Sequence, residues 1–207
     1  MKIISPKINK YLEKNLLNQF MVSDDLVDLL IQEQAIDFPI CDIELNGCKF
    51  VEVDFSKFPL KNVNLIDCIF EKCNLSGSAF SDRSIHRTIF DRCNMVGCDF
   101  ISSGLTDVNI LDSKCDYINF SDSKIKHFIL KDSIVKEGRF VSIEFSDICF
   151  DNTDFKGCEF LNTKLKGIDF SNCNIQDIGI SINDIKGIIV NEEQALMLVS
   201  LLGINIK

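Results

Sequence analysis

Every fifth residue from Ile40 to Val190 is apolar, without an exception. The series opens Ile40, Leu45, Phe50, Phe55, Leu60, Leu65, Phe70, Leu75 and closes Leu165, Phe170, Ile175, Ile180, Ile185, Val190. A period of five fits neither the 3.6 of a helix nor the 2 of a strand. Sustained over most of a chain, it marks a solenoid in which each short repeat stacks on the one before. A second restricted column lies two residues before each centre and includes Cys48, Val53, Val63, Cys68, Cys73, Ser78, Ser103, Val108, Ser113 and Ile118. Alternate residues of an extended segment share a side, so the centre and this partner line one inner face while the other three residues turn a corner. Four such faces close a square of about twenty residues, and at the ordinary strand spacing about seven and a half coils make a rod of roughly 36 Å.

Reading every twentieth residue tests this geometry on paper. Phe80, Phe100, Phe120, Phe140 and Phe160 fall in one column, and Phe50, Phe70 and Phe90 in another, with Phe150 and Phe170 further up it. The expected core is therefore a set of aromatic ladders, each buried ring contributing roughly 1.5–3 kcal/mol. The ten cysteines follow the same logic. Cys48, Cys68, Cys73, Cys93, Cys98, Cys158 and Cys173 occupy the inward column and Cys115 is a centre, so they read as small buried hydrophobes rather than as metal ligands or disulfides. Parallel Cβ vectors on stacked coils are poorly aimed for a bridge.

The ends depart from the frame. Residues 1–37 are expected to form an N-terminal capping segment, 38–190 the repeat, and 191–207 a C-terminal capping and dimerisation helix with a terminal strand at Ile204 to Ile206. Ser23 with Asp24 and Asp25 resembles a helix N-cap with acids in the first turn, and Leu26, Leu29 and Leu30 supply an apolar face for a helix over about 24–34. Tyr11-Leu12, Leu16-Leu17 and Phe20-Met21 carry no clear period. An open solenoid end exposes interior and unpaired strand edge, so capping is the role expected of this segment. Asn191 with Gln194 forms a capping-box pattern, Glu192 and Glu193 suit the first turn, and Gly203 suits a left-handed stop. That helix is apolar nearly all round. Leu196, Met197, Val199, Ser200, Leu201 and Leu202 are the expected interface of a two-fold homodimer.

Arg83 is the anomaly, a permanent charge at an inward position. Either a local distortion turns it outward or a carboxylate partners it, because an unpaired buried charge is prohibitive. Outward columns compensate charge: Lys124, Glu144, Lys164 and Asp184 alternate in sign, as do Asp67, Arg87, Asp107, His127 and Asp147. Asp107, Asp112, Asp122, Asp132 and Asp147 make the middle coils the expected acidic partner-binding surface.

Cys-Asn-Leu-Ser-Gly-Ser-Ala-Phe (73–80), Asp-Phe-Lys-Gly-Cys-Glu-Phe (154–160) and Leu-Lys-Gly-Ile-Asp-Phe (165–170) resemble the pentapeptide repeat proteins. The resemblance implies a right-handed quadrilateral β-helix and a bacterial origin. The closing segment, Ile188-Ile189-Val190, Glu193-Gln194-Ala195-Leu196 and Leu201-Leu202-Gly203-Ile204, is similar to the ends of Qnr-type quinolone-resistance proteins. That likeness implies a tail-to-tail dimer that binds a type II topoisomerase, DNA gyrase or topoisomerase IV, by mimicking duplex DNA, and shields it from fluoroquinolones. Many members of the subfamily carry loops that break the repeat, and this frame has none; others carry an N-terminal extension instead, as here.

Composition bounds the remaining classes. A formal net charge of −9 and a pI near 4.7 disfavour direct binding to nucleic-acid phosphates. No run approaches the length of a membrane span, and Met-Lys-Ile-Ile-Ser-Pro lacks the apolar core of a secretory signal, so a cytoplasmic location is expected. There is no phosphate loop, metal-ligand spacing or nucleophile triad. His86 and His127 lie on outward columns without a neighbouring nucleophile, so neither catalysis nor a cofactor is expected. Two copies of −9 along roughly 75–80 Å give about one charge per 4 Å, against one per 1.7 Å in a duplex, so charge mimicry is partial. The alternative is a structural scaffold for an unrelated protein partner, which the same fold permits.

Overall fold

The computed structural model describes residues 2–14 and 25–203. It is a parallel β-solenoid closed by a single short helix. Among the described residues eleven strands make its wall: β1 (Glu13–Lys14), β2 (Asp25–Val27), β3 (Leu29–Gln32), β4 (Glu44–Asn46), β5 (Lys49–Val51), β6 (Asn64–Ile66), β7 (Ile69–Glu71), β8 (Ser84–Asp91), β9 (Gly104–Leu111), β10 (Lys124–Lys131) and β11 (Glu144–Asp151). From Leu45 the register advances by twenty residues per coil, so Leu45 pairs Leu65, Leu65 pairs Ile85, Ile85 pairs Leu105, Leu105 pairs Ile125 and Ile125 pairs Phe145. Single bridges on the remaining faces repeat at the same interval, as in Asn74 to Asn94 to Lys114, except at Ala35 to Asp54, a step of nineteen, and Lys61 to Ala79, a step of eighteen.

The five-residue rule places the core. The centres from Ile40 to Val135 are fully buried, and Phe80, Phe100, Phe120, Phe140 and Phe160 stack along the axis at centroid separations of 4.9, 5.0, 5.3 and 4.5 Å. Phe50, Phe70 and Phe90 make a second ladder at 4.8 and 5.2 Å. The column two residues earlier is small and weakly polar for a reason beyond size. Its hydroxyls and thiols donate to carbonyls of the coil beneath, as Ser103 Oγ does to Phe80 O, Ser123 Oγ to Phe100 O and Thr163 Oγ1 to Phe140 O, each at 2.6 Å. The same oxygens accept amides, Cys93 N to Ser113 Oγ at 2.9 Å and Ile143 N to Thr163 Oγ1 at 3.0 Å. Buried polar atoms are thereby satisfied and the coils are stitched together.

The eight cysteines expected inside are buried and all ten are free thiols. Burial pushes Cys98 and Cys158 up to about 12 and Cys173 to about 11, which removes thiolate character at neutral pH.

The expected helix over 24–34 is not formed. Residues 25–27 and 29–32 are β2 and β3, which extend the solenoid one coil below the expected start at 38. Leu26 pairs Leu45 and Ile31 pairs Phe50, a step of nineteen rather than twenty. Leu26, Ile31 and Ile36 are buried centres of the same five-residue frame, displaced by one because the step from Ile36 to Ile40 is four. Ser23 and Asp24, the expected cap, and residues 15–22 lie outside the described chain. The lower edge is instead covered by β1, which pairs β3.

At the other end α1 (Glu192–Val199) forms as expected, with the capping box between Asn191 and Gln194, a continuing 3-10 turn at Ser200–Leu202 and Gly203 left-handed at φ 69°. Gln194 is buried and its Nε2 donates to Phe170 O at 2.9 Å and Cys173 O at 2.7 Å, which seats the helix on the last complete coil. The expected strand at 204–206 lies outside the described residues.

Candidate partner-binding surfaces

The corners decide what the wall displays. The residue two after each centre adopts positive φ almost throughout: Asp107 at 56°, Asp112 at 48°, Asp122 at 59°, Asp132 at 51° and Asp147 at 55°. A left-handed residue with a Cβ costs roughly 1–2 kcal/mol, and Asp, Asn and Gly bear it best. More than half of the non-glycine residues in this conformation are Asp or Asn. The acidic columns therefore originate in backbone geometry, and sequence reasoning that read them only as charge missed this.

Four of the five expected acidic residues, Asp112, Asp122, Asp132 and Asp147, are exposed. Asp107 is not: its side chain is 3% exposed. The N-terminal segment runs outside the rod along that corner, with Ile4 N donating to Asp107 Oδ1 at 3.1 Å, Lys7 N to Asp67 Oδ1 at 2.8 Å and Asn9 Nδ2 to Asp28 Oδ2 at 3.1 Å. The spacing is commensurate. Three extended residues cover about 10 Å, and two coils rise about 9.6 Å. The strap carries Lys2, Lys7 and Lys10, and the three side chains it bonds on the corner, Asp28, Asp67 and Asp107, are carboxylates.

Beneath the strap the expected alternation of charge is formed. Arg87 donates from Nε and Nη2 to the two oxygens of Asp67. Burial alone would raise the Asp67 carboxyl, but the hydrogen bond from Arg87, the Lys7 amide and the two positive charges hold it below the ordinary value. His127 Nδ1 lies 3.3 Å from Asp107 Oδ1 in an orientation that makes no hydrogen bond, and its Nε2 lies 3.6 Å from Asp147. His86 is held below the usual imidazole value by burial and then by Arg87. In the other column Lys124 pairs Glu144 at 3.4 Å, whereas neither Lys164 nor Asp184 continues it among the described residues.

Arg83 meets neither alternative simply. It is half-buried, its Nε is enclosed without a hydrogen-bond partner, and no carboxylate pairs with it among the described residues. Arg92 is bound at the surface to Asp91 and Glu71 at 2.6 and 2.8 Å. The described residues include no group of His, Cys, Asp and Glu that could hold a metal ion, and no helix long and apolar enough to cross a membrane.

At the C-terminal end Leu196 and Met197 are 57% and 43% exposed, Val199 and Leu201 half-buried and Ser200 exposed; the Leu202 side chain lies outside the described set. Leu196, Met197, Ser200 and Leu201 rim a cleft of about 400 Å³ with Ile175 and Ile178.

The profile described as "Pentapeptide repeat region" matches residues 63–140, and that described as "Pentapeptide repeats (8 copies)" matches 43–82 and 139–177. Together they span 43–177, well over half of the chain. No curated protein matches. Among solved structures, a trypsin-treated variant of QnrB1, a plasmid-mediated fluoroquinolone resistance protein, is 20% identical over 88% of this chain and 100% of its own, with a TM-score of 0.37. HetL from the cyanobacterium Nostoc sp. strain PCC 7120, a pentapeptide repeat protein involved in heterocyst differentiation regulation, is 11% identical over 81% and 90%, with a TM-score of 0.31. Rfr23 from the cyanobacterium Cyanothece 51142 is 14% identical over 50% and 64%, with a TM-score of 0.34.

Proposed function

We propose that this chain, which belongs to the pentapeptide repeat family, is a non-enzymatic binding protein whose acidic wall substitutes for duplex DNA on a type II topoisomerase, DNA gyrase or topoisomerase IV. The observation that carries the reading is the set of exposed carboxylates at Asp112, Asp122, Asp132 and Asp147, each held on a fixed left-handed corner. Such charges are preorganised by the backbone. A basic groove meets them without first ordering a loop. The likeness of the closing segment to Qnr-type ends adds the choice of enzyme and the expectation of protection from fluoroquinolones.

A duplex-length rod needs two copies. The exposed face of α1, with Leu196, Met197, Val199, Ser200 and Leu201 (and Leu202 by sequence), supplies an apolar surface that a two-fold partner would cover. Leu196→Asp is expected to leave a folded monomer, and an unchanged sedimentation coefficient would refute the dimer. The topoisomerase reading is tested by supercoiling with purified gyrase, with and without ciprofloxacin. Micromolar protein should change either the activity or its drug sensitivity; if both stay constant the reading fails.

A further inference from the structure

The corner that carries Asp107 is one column of left-handed residues: Asp28, Gly47, Asp67, Arg87, Asp107, His127, Asp147, Gly167 and Gly187, with φ between 47° and 84°. A carboxylate stands on every second coil from Asp28 to Asp147, at intervals of about 9.6 Å. The N-terminal strap uses these carboxylates as acceptors and little else. Ile4 N donates to Asp107, Lys7 N to Asp67 and Asn9 Nδ2 to Asp28. No other hydrogen bond joins residues 2–12 to the rod among the described residues. Arg87 is the one permanent cation in the column, set against four carboxylates.

Two features set this contact apart from core packing. The first is its lightness. None of residues 2–12 is buried: Ile3, Pro6, Ile8 and Leu12 are half-buried, and Ile4 and Tyr11 are 50% and 79% exposed. Lys2, Lys7 and Lys10 make no ion pair among the described residues. Departure of the strap breaks three hydrogen bonds and no pairing between coils, because β8, β9 and β10 are hydrogen-bonded to one another beneath it. The second feature is that the column continues past the strap's last contact. Asp147, two coils above Asp107, has a side chain 58% exposed, with the Ser146 hydroxyl donating to it at 3.2 Å and His127 Nε2 at 3.6 Å.

We propose that the corner from Asp67 to Asp147 is a binding track for an extended, basic segment of a partner protein, which enters at the open Asp147 and displaces the strap that occupies the track in cis. The strap itself shows what the track accepts. Two of its backbone amides, three residues apart, meet carboxylates two coils apart, and the two spacings agree at about 10 Å. Backbone amides are common to all sequences, so any extended segment that presents them at this interval can take the same bonds. Charge narrows the class. Bonds from amides to ionised carboxylates are the strong ones, and four carboxylates against Arg87, on a chain of net charge −9, favour lysine and arginine in the incoming segment. Tethering gives the strap a high effective concentration, so it suppresses weak competitors and yields to a segment that also holds Asp147. The track shares Asp147 with the acidic wall but does not rest on the topoisomerase reading.

The test uses the full chain, an Ile4→Pro, Lys7→Pro double variant of it, and a fluorescein-labelled peptide of residues 2–12 as the basic segment. Proline removes the two donating amides and suits an extended chain, and neither position is buried, so the thermal melt should not move. Fluorescence anisotropy should show saturable binding at least tenfold tighter to the double variant than to wild type, because the strap no longer competes. An Ile4→Ala, Lys7→Ala variant, which keeps both amides, should stay within threefold of wild type. Asp107→Gly added to the double variant removes one acceptor at a corner where the same column already holds Gly47 and Gly167, and should weaken binding at least tenfold. A peptide with its three lysines changed to glutamate should bind at least tenfold more weakly than the basic one. Equal affinity for wild type and the proline variant would overturn the proposal, as would binding unaltered by Asp107→Gly, equal binding of the glutamate peptide, or no saturable binding up to a millimolar. Supercoiling results with gyrase bear on none of these outcomes.

Discussion

Phe120→Ala measures how the solenoid is held together. The ring is fully buried, stacks on Phe100 at 5.0 Å and on Phe140 at 5.3 Å, and meets Phe128 edge-on at 5.9 Å. Removing a buried phenylalanine costs about 3–5 kcal/mol in transfer and cavity terms together. The site cannot collapse readily, because the coils above and below are fixed by backbone ladders, so the upper part of that range is expected. For a chain of this length each kcal/mol lowers Tm by about 2–4 °C, giving a fall of about 8–20 °C in a melt followed by circular dichroism. Tyr117→Ala, on the same coil but 57% exposed, should stay within about 0.5 kcal/mol of wild type. The ladder also predicts coupling. Phe100→Ala with Phe120→Ala should depart from additivity by about 0.5–3 kcal/mol, whereas Phe50→Ala with Phe120→Ala should add. A cost below about 1 kcal/mol, or equal additivity in both pairs, would refute an axial stack as the source of stability.

Three further measurements follow from other parts of the rod. At the left-handed corner of Asp132, Asp132→Asn should leave the urea midpoint unchanged, while Asp132→Val should lose about 1–3 kcal/mol because a branched side chain resists positive φ. Native thiol titration should show Cys41 and Cys149 reacting first, with the other eight cysteines protected until unfolding. Asp67 has a lowered folded pKa, so its contribution is full above the ordinary carboxylate value near 4 and is lost as pH falls through the lower folded value. The stability gap between wild type and Asp67→Asn, read from urea midpoints, should therefore be constant near neutrality and close only at strongly acidic pH.

The sequence and the structure part company at identifiable residues. The ladders and the buried thiols were legible because each coil repeats the same five-residue constraint, so one register determines every centre. The capping box at Asn191 and Gln194 was legible because it is local. The first coil was not. Leu26, Leu29 and Leu30 fit a helical face as well as a strand pair, and the four-residue step between Ile36 and Ile40 hid their membership of the frame. The burial of Asp107 depends on Ile4, 103 residues away, and no local pattern encodes such a contact. That β11 pairs only with β10 had a faint signal in Gly167 and Gly187, which follow Asp67, Arg87, Asp107, His127 and Asp147 in their column.

The corner geometry also changes what the acidity means. A carboxylate on a flexible surface loop must lose conformational freedom to meet a partner. Asp112, Asp122 and Asp132 have already lost theirs, because folding fixes φ at 48–59° whether or not anything binds. Asp112 and Asp132 lie one coil apart on the same corner, so these two like charges repel in the free protein, and a basic partner would relieve that repulsion as well as gain attraction. Asparagine keeps the left-handed corner and removes only the charge. An Asp112, Asp122, Asp132 and Asp147 to Asn variant therefore separates the two roles that aspartate plays here. If it melts like wild type yet loses its effect on gyrase, the wall acts through charge. If it melts like wild type and keeps that effect, the carboxylates serve only the backbone, and the binding surface lies elsewhere on the rod.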